Sequence, residues 1–250
     1  MGNPTTAGSG ARSPKTGSSA EPSPRTGPSS ASASSDPQPE SSGRRLIDFD
    51  RSLGVRFIAG ADEAGRGCLA GPLVAAAVLL DLEALGADQV EALAALNDSK
   101  QHGEAAREAL YPVVLRSVTR AAVVSRSARG IDIRGLHRTN LAALRDALLG
   151  VARPGCLCLV DGFGVAEMPF EQRAVVHGDA TSAAIAAASI LAKVTRDRFM
   201  RRAAQRHPAW GFEEHFGYST PSHRAAIVEH GVSPLHRLSF QSTAYQQLAL

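Results

Sequence analysis

An apolar stretch that stops on two adjacent carboxylates constrains this chain more than any other feature. In Ala59-Gly60-Ala61-Asp62-Glu63-Ala64-Gly65-Arg66-Gly67-Cys68-Leu69-Ala70-Gly71-Pro72 the charged pair closes the run, and two glycines around one arginine follow. A buried strand can end in charge only where something neutralises it, because unpaired buried carboxylates are costly or simply protonate. A metal ion is the first candidate. Residues 73–80 are then almost continuously apolar, the pattern of a strand covered on both faces. Two strands joined by a Gly-rich loop predict a hairpin.

In chain order, residues 44–50 read as a short leader docked on the domain, and residues 55–61 as a strand ending at Asp62-Glu63. Leu82, Leu85, Val90, Leu93 and Leu96 give helical spacing over 82–96, weakened by Gly86. Asn97-Asp98-Ser99-Lys100 reads as a turn, 104–118 as a helix, 119–127 as a strand and 135–151 as a helix. Residues 156–160 form a short buried strand that delivers Asp161 and Gly162. Residues 173–176 are a further strand, followed by His177-Gly178-Asp179. A long helix runs from 182 to about 206, with small residues on its first turns that permit close packing on a sheet. One helix, 221–230, is expected in the Gly- and His-rich remainder. A hairpin followed by alternating helices and strands implies an α/β domain with a mixed central sheet flanked by helices. A C-terminal helical appendix, about 207–250, follows it.

Residues 1–43 are mostly Ser, Pro, Gly, Thr and Ala, a composition that buries too little surface to offset the entropy of ordering. We expect a disordered low-complexity tail there. Its Arg12, Lys15 and Arg25 balance Glu21, Asp36 and Glu40, so the formal charge of +3 belongs to residues 44–250. That is a weak pointer to a polyanionic partner. Cys68, Cys156 and Cys158 supply neither a C-x-x-C pair nor an even framework and read as buried reduced thiols. No apolar run has the length of a membrane span, and the N-terminus lacks the layout of a secretory signal. A cytoplasmic monomer without a membrane partner is expected.

Three acidic sites recur at the boundaries of apolar elements: Asp62-Glu63, Asp161 and Asp179. Functional side chains collect at strand ends and loop edges in open α/β sheets. Successive strand residues point to opposite faces, so Asp62 and Glu63 are expected to share a site only if the backbone bends at Glu63. Asp179, just before the long helix, is expected to gain from that helix's N-terminal amides. Four converging carboxylates need cations, and hard oxygen donors without His or Cys at ligand spacing point to Mg²⁺ or Mn²⁺ rather than zinc.

These stretches resemble a known family. Asp62-Glu-Ala-Gly-Arg-Gly-Cys-Leu-Ala-Gly-Pro72, Asn97-Asp-Ser-Lys100, Leu159-Val-Asp161-Gly162, Gly178-Asp179, Ala186-Ala-Ala-Ser-Ile-Leu-Ala-Lys-Val-Thr-Arg-Asp197, His215-Phe-Gly-Tyr-Ser-Thr-Pro-Ser-His223 and Arg237-Leu-Ser-Phe240 appear in the order seen in bacterial ribonuclease HII. The resemblance covers nearly all of the chain after the tail. It implies a ribonuclease H-like fold over 44–250, and an endonuclease for RNA/DNA hybrids and for single ribonucleotides in duplex DNA. It further implies two divalent ions, Mn²⁺ or Mg²⁺, held by Asp62, Glu63, Asp161 and Asp179, with no protein nucleophile, so Cys68 reads as packing. Gly65, Arg66 and Gly67 would recognise the ribose 2′-hydroxyl, which is what separates RNA from DNA. Tyr218 would contact the same hydroxyl and stack on the next sugar. Ser99 and Lys100 would touch phosphates, as would Lys193 unless it pairs with the acids.

The cations Lys193, Arg196, Arg198, Arg201 and Arg202 are expected to extend nucleic-acid contact along the long helix. Three positions depart from the family pattern: Phe216 replaces a common lysine, Leu238 a second arginine and Gly135 an asparagine. None of them removes a metal ligand. The alternatives are a ribonuclease HIII-type nuclease and a non-catalytic hybrid-binding protein. The tail and Asp179 speak against the first, and the four intact acids against the second.

Overall fold

The computed structural model describes residues 1–2, 42–98 and 103–240. Residues 3–41 of the expected tail, the Ser99-Lys100 phosphate contacts and residues 241–250 of the expected appendix lie outside the described residues. In chain order the elements are α1 (Ser42–Ser52), β1 (Phe57–Ala64), β2 (Leu73–Asp81), α2 (Ala87–Ala94), α3 (Glu104–Ser117), β3 (Arg120–Arg126), α4 (Ala128–Arg134), α5 (Leu136–Val151), β4 (Cys156–Asp161), β5 (Gln172–Val175), α6 (Ala183–Arg206), α7 (Phe212–His215) and α8 (Pro221–His230). The strands lie in the order β3-β2-β1-β4-β5. β1 pairs antiparallel with β2, and β2 with β3, whereas β1, β4 and β5 run parallel, so the sheet is mixed as expected.

Strand periodicity decides which helix each side chain meets. Ile58, Val74, Ala76, Val78, Leu80, Leu157 and Leu159 face α6. Ala59, Ala61, Leu73, Ala75, Ala77, Leu79, Cys158 and Val160 face α5 and α4. Burial on both faces is why β2 reads as an unbroken apolar run. Each fully buried Leu, Ile or Val contributes about 1.5–3 kcal/mol. At Gly60 the backbone of α6 comes so close that a Cβ would stand 2.3 Å from the Ala184 carbonyl carbon. The small residues at the start of α6 permit that approach, as expected from the sequence.

Several boundaries differ from expectation. β1 continues through Asp62 and Glu63, which pair in register with Ala76 and Ala75 of β2, so the backbone does not bend at Glu63. α2 begins only at Ala87, because Gly86 is its N-cap in an extended conformation. The short helices α4 and α7 fall below the length at which periodicity is readable, and the sequence pattern announces neither.

The leader is helical, and its far end is anchored at the start of α6. Asp50 is fully buried, and its Oδ2 accepts the Ala184 amide at 3.0 Å. Ser182 is the N-cap, its hydroxyl accepting from the Ile185 amide. These two residues serve the α6 N-terminus, and Asp179 lies in the turn just before it, Gly178–Ala180. Burial pushes the Asp50 carboxyl up to about 6, against opposing hydrogen bonds from Ser182 and the Ala184 and Ala183 amides. Because its folded pKa is raised, its contribution is fully present below the unfolded value near 3.8 and is lost as pH rises through about 6. Denaturation of the wild type and Asp50→Asn between pH 4 and 8 is expected to show the wild type losing up to roughly 3 kcal/mol relative to the variant across that window. A constant difference would disprove this.

Candidate active site

The parallel pairing of β1 with β4 stops at Ala61 and Val160. The two strands diverge just before Asp62 and Asp161, which places both acids at the opening. Alternation sends Asp62 to the α6 face and Glu63 to the α5 face, and each finds its own donors there. Asp62 is buried next to Ser189 of α6, while its Oδ1 takes the Glu63 amide at 2.7 Å. Glu63 lies near Asn140 of α5 and pairs with Arg66, whose Nη1 stands 3.7 Å from its Oε1. Asp161 accepts the Gly178 amide at 2.7 Å, which ties β4 to the turn that carries Asp179.

Burial, with the Asp161 and Glu63 charges adding, pushes Asp62 up to about 7. Glu63 is also raised, by burial first and partly by Asp161. Glu63 Oε2 is buried and accepts no hydrogen bond. Asp62, Glu63 and Asp161 thus lie close enough for their charges to act on one another. Among the described residues no three His, Cys, Asp or Glu side chains form a closed cation cage. An orphaned, buried carboxylate oxygen beside two mutually repelling acids still fits a hard divalent cation.

A cleft of about 440 Å³ lies beside these acids, lined by Glu63, residues 64–67, Arg107, Ser189, Lys193 and Tyr218. Two fully buried arginines from distant regions of the chain shape its Gly-rich edge. Arg196 donates to the carbonyls of Pro72 and Ala70, both at 3.0 Å. Arg237 donates twice to Gly71 O, at 3.0 and 2.9 Å, and once to Arg66 O at 3.0 Å. The glycines divide accordingly. Gly65 has φ +87°, and a Cβ there would lie 1.9 Å from Arg196 Nε, whereas a Cβ on Gly67 would meet nothing within 4 Å. Gly65 thus serves the loop's own packing, and only Gly67 leaves open room. We expect Gly65→Ala to lower the melting temperature, and Gly67→Ala to leave it unchanged while raising KM; equal melting temperatures for the two would contradict the division.

A family model described as ribonuclease HII matches residues 59–243. The chain is 48% identical over 205 residues to ribonuclease HII of Mycobacterium sp. (strain KMS), covering 80% of this chain and 82% of that one. The chain belongs to the ribonuclease HII family. It is accordingly an endoribonuclease of the ribonuclease H class, acting on RNA paired with DNA. The crystal structure of ribonuclease H2 from Pyrococcus horikoshii OT3 superposes with a TM-score of 0.66 at 26% identity, covering 77% of this chain and 96% of that one. Bst-RNase HIII in complex with Mn²⁺ shares the fold, with a TM-score of 0.57 at 20% identity over 80% of this chain and 72% of that one.

This member of the ribonuclease HII family uses most of the α6 cations internally, which corrects the expectation of a nucleic-acid stripe. Arg198 and Arg201 pair with Glu108 of α3, and Arg201 also with Glu104. Arg196 is buried against the loop. Lys193 faces the cleft, its Nζ 2.6 Å from Asp197 Oδ1 and over the rings of Phe216 and Tyr218. Arg107, also on the cleft, shares Asp197 at 3.9 Å. Phe216 therefore supplies an aromatic face to Lys193 in place of a second cation. Leu238 is exposed, and its amide donates to Asp132.

Tyr218 is 41% exposed. Its hydroxyl lies near the buried Cys68 thiol, and burial raises its pKa. Cys68 is packing, as expected, and all three cysteines are free and buried. Sequence reasoning missed Ser189, Asn140 and Arg107 as site residues. Ser189 stands one turn before Lys193 on the same helix face, a signal that could have exposed it. Asn140 carries no local signal, since it reaches Glu63 only through the packing of α5. Among the described residues no helix is long and apolar enough to cross a membrane.

Proposed function

We propose that this enzyme cuts on the 5′ side of single ribonucleotides embedded in duplex DNA as well as within longer RNA/DNA hybrids. It leaves 3′-hydroxyl and 5′-phosphate ends and so initiates ribonucleotide removal. The observation that carries this reading is one cleft that joins the bare backbone at Gly67, the ring of Tyr218 and the partly buried acid Glu63.

A 2′-hydroxyl both donates and accepts, so backbone amides and carbonyls of residues 65–67 can test for it where no Cβ intervenes. Tyr218 is half-buried beside them and offers its hydroxyl and ring face to the sugar and its neighbour. Lys193 and Arg107 line the same cleft and offer positive charge to the phosphate backbone. Asp62, Glu63, Asp161 and Asp179 would hold two divalent cations, Mg²⁺ or Mn²⁺, consistent with an all-oxygen donor set and with the orphaned Glu63 Oε2. The chemistry such ions would supply there is activation of a water and stabilisation of the leaving 3′-oxygen in an in-line displacement. Ser189, Asn140 and the Gly178 amide keep three of the carboxylates oriented toward the opening.

The test is incubation of the full chain with Mg²⁺ or Mn²⁺ and a DNA duplex carrying one ribonucleotide, beside an all-DNA duplex and a long hybrid. A single nick 5′ to the ribonucleotide is expected, with none in all-DNA. Cleavage of the hybrid alone would move the reading to a ribonuclease HIII-type activity. Tight hybrid binding without divalent-dependent turnover would make the chain a binding protein.

A further inference from the structure

Three histidines of the C-terminal appendix pack together beneath Tyr218. His223 is fully buried, His236 is 3% exposed, and the His215 ring stacks on His223 with centroids 4.1 Å apart. Their hydrogen bonds fix each tautomer, because a backbone amide can only donate and a carbonyl only accept. The Ser233 amide donates to His236 Nδ1 at 2.8 Å, so that nitrogen is unprotonated and the proton of the neutral ring sits on Nε2. His236 Nε2 lies 3.1 Å from His223 Nε2, which must therefore accept. The proton of His223 is then on Nδ1, which donates to the Tyr218 carbonyl at 2.9 Å. Burial pushes both rings down to about 4, so both are neutral at physiological pH.

The chain of bonds ends where the appendix meets the cleft. The Tyr218 carbonyl accepts a second bond from Thr220 N, and Tyr218 N donates to His215 O. His215 Nδ1 takes the Gly217 amide at 3.1 Å. Gly217 O in turn receives the Leu69 and Ala70 amides of the Gly-rich loop. Residues 217–218 are thus pinned between the histidines and the edge of the cleft.

We propose that His236 and His223 are positioning residues for ribose recognition, a directed hydrogen-bond chain whose last donor fixes the backbone of Tyr218. It rests on the role given to Tyr218 above. Neither histidine touches substrate; each acts through the next, and only one tautomer of each satisfies the chain.

Two measurements test it. In the wild type, ¹⁵N shifts of the imidazoles are expected to show His223 protonated on Nδ1 and His236 on Nε2; the opposite tautomer at either ring overturns the chain. In variants, His223→Asn keeps an N–H at the Nδ1 position, whereas His223→Gln reaches only the Nε2 position. At matched melting temperatures we expect Gln to fall about tenfold below Asn in kcat/KM on a single-ribonucleotide duplex, the loss of one buried hydrogen bond. In a Tyr218→Ala background the two should be equal, since coupled residues are not additive. The same tenfold gap persisting in that background overturns the positioning role. Undiminished single-ribonucleotide cleavage by Tyr218→Ala alone instead overturns the reading of Tyr218, while the tautomers remain independently measurable.

Discussion

Asp62→Asn is expected to lower turnover on RNA/DNA hybrids by roughly 10²–10³-fold or more while leaving the melting temperature in EDTA unchanged or raised. The two halves have one cause. Asp62 is buried among acids, close enough to Asp161 and Glu63 to be pushed up by their charges. A neutral amide keeps its hydrogen-bonding shape beside Ser189 and removes a buried charge that repels its neighbours. What it cannot do is bind a divalent cation as a carboxylate does. Hybrid cleavage and thermal melting of both proteins check this. An Asp62→Asn variant that turns over normally, or one that melts well below the wild type, would show that this acid is structural.

Arg196→Met is expected to cost roughly 2–5 kcal/mol, because two buried carbonyls, Pro72 O and Ala70 O, lose their donor. For a domain of this size that is a melting-temperature drop of roughly 5–15 °C. Methionine matches the buried stem and removes the burial cost of the cation, which offsets some of the loss; the stranded carbonyls decide the sign. Activity should fall further than stability explains, because the guanidinium also fills the space behind Gly65 and lies over the Tyr218 ring at 5.8 Å. Arg196→Lys should rescue little, since one ammonium lacks the fork that spans two carbonyls. Denaturation curves and KM for the three proteins test this, and a methionine variant with wild-type stability and KM would refute it.

Much of the architecture was legible because it is written in local patterns. Strand burial on both faces made 73–80 apolar throughout, and the small residues at the start of α6 announced a helix lying directly on a sheet. The acids Asp62, Glu63 and Asp161 could be placed at strand ends from the same patterns. Asp50 could not, because an aspartate in an amphipathic leader looks solvated until its carboxylate is found on the Ala184 amide. The basic run of α6 misled for the converse reason. Glu104 and Glu108 lie some ninety residues earlier in the chain and neutralise Arg198 and Arg201 only once α3 packs on α6.

By itself the sequence determined the mixed α/β sheet, the acidic ends of β1 and β4 and the family, because periodicity, charge at element ends and ordered motifs are local or linear properties. The tertiary structure alone decided the division of labour within residues 65–67. Which glycine is filled from behind and which faces open space depends on Arg196 and Arg237 arriving from other elements, and long-range packing of that kind leaves no mark on the residues it shapes.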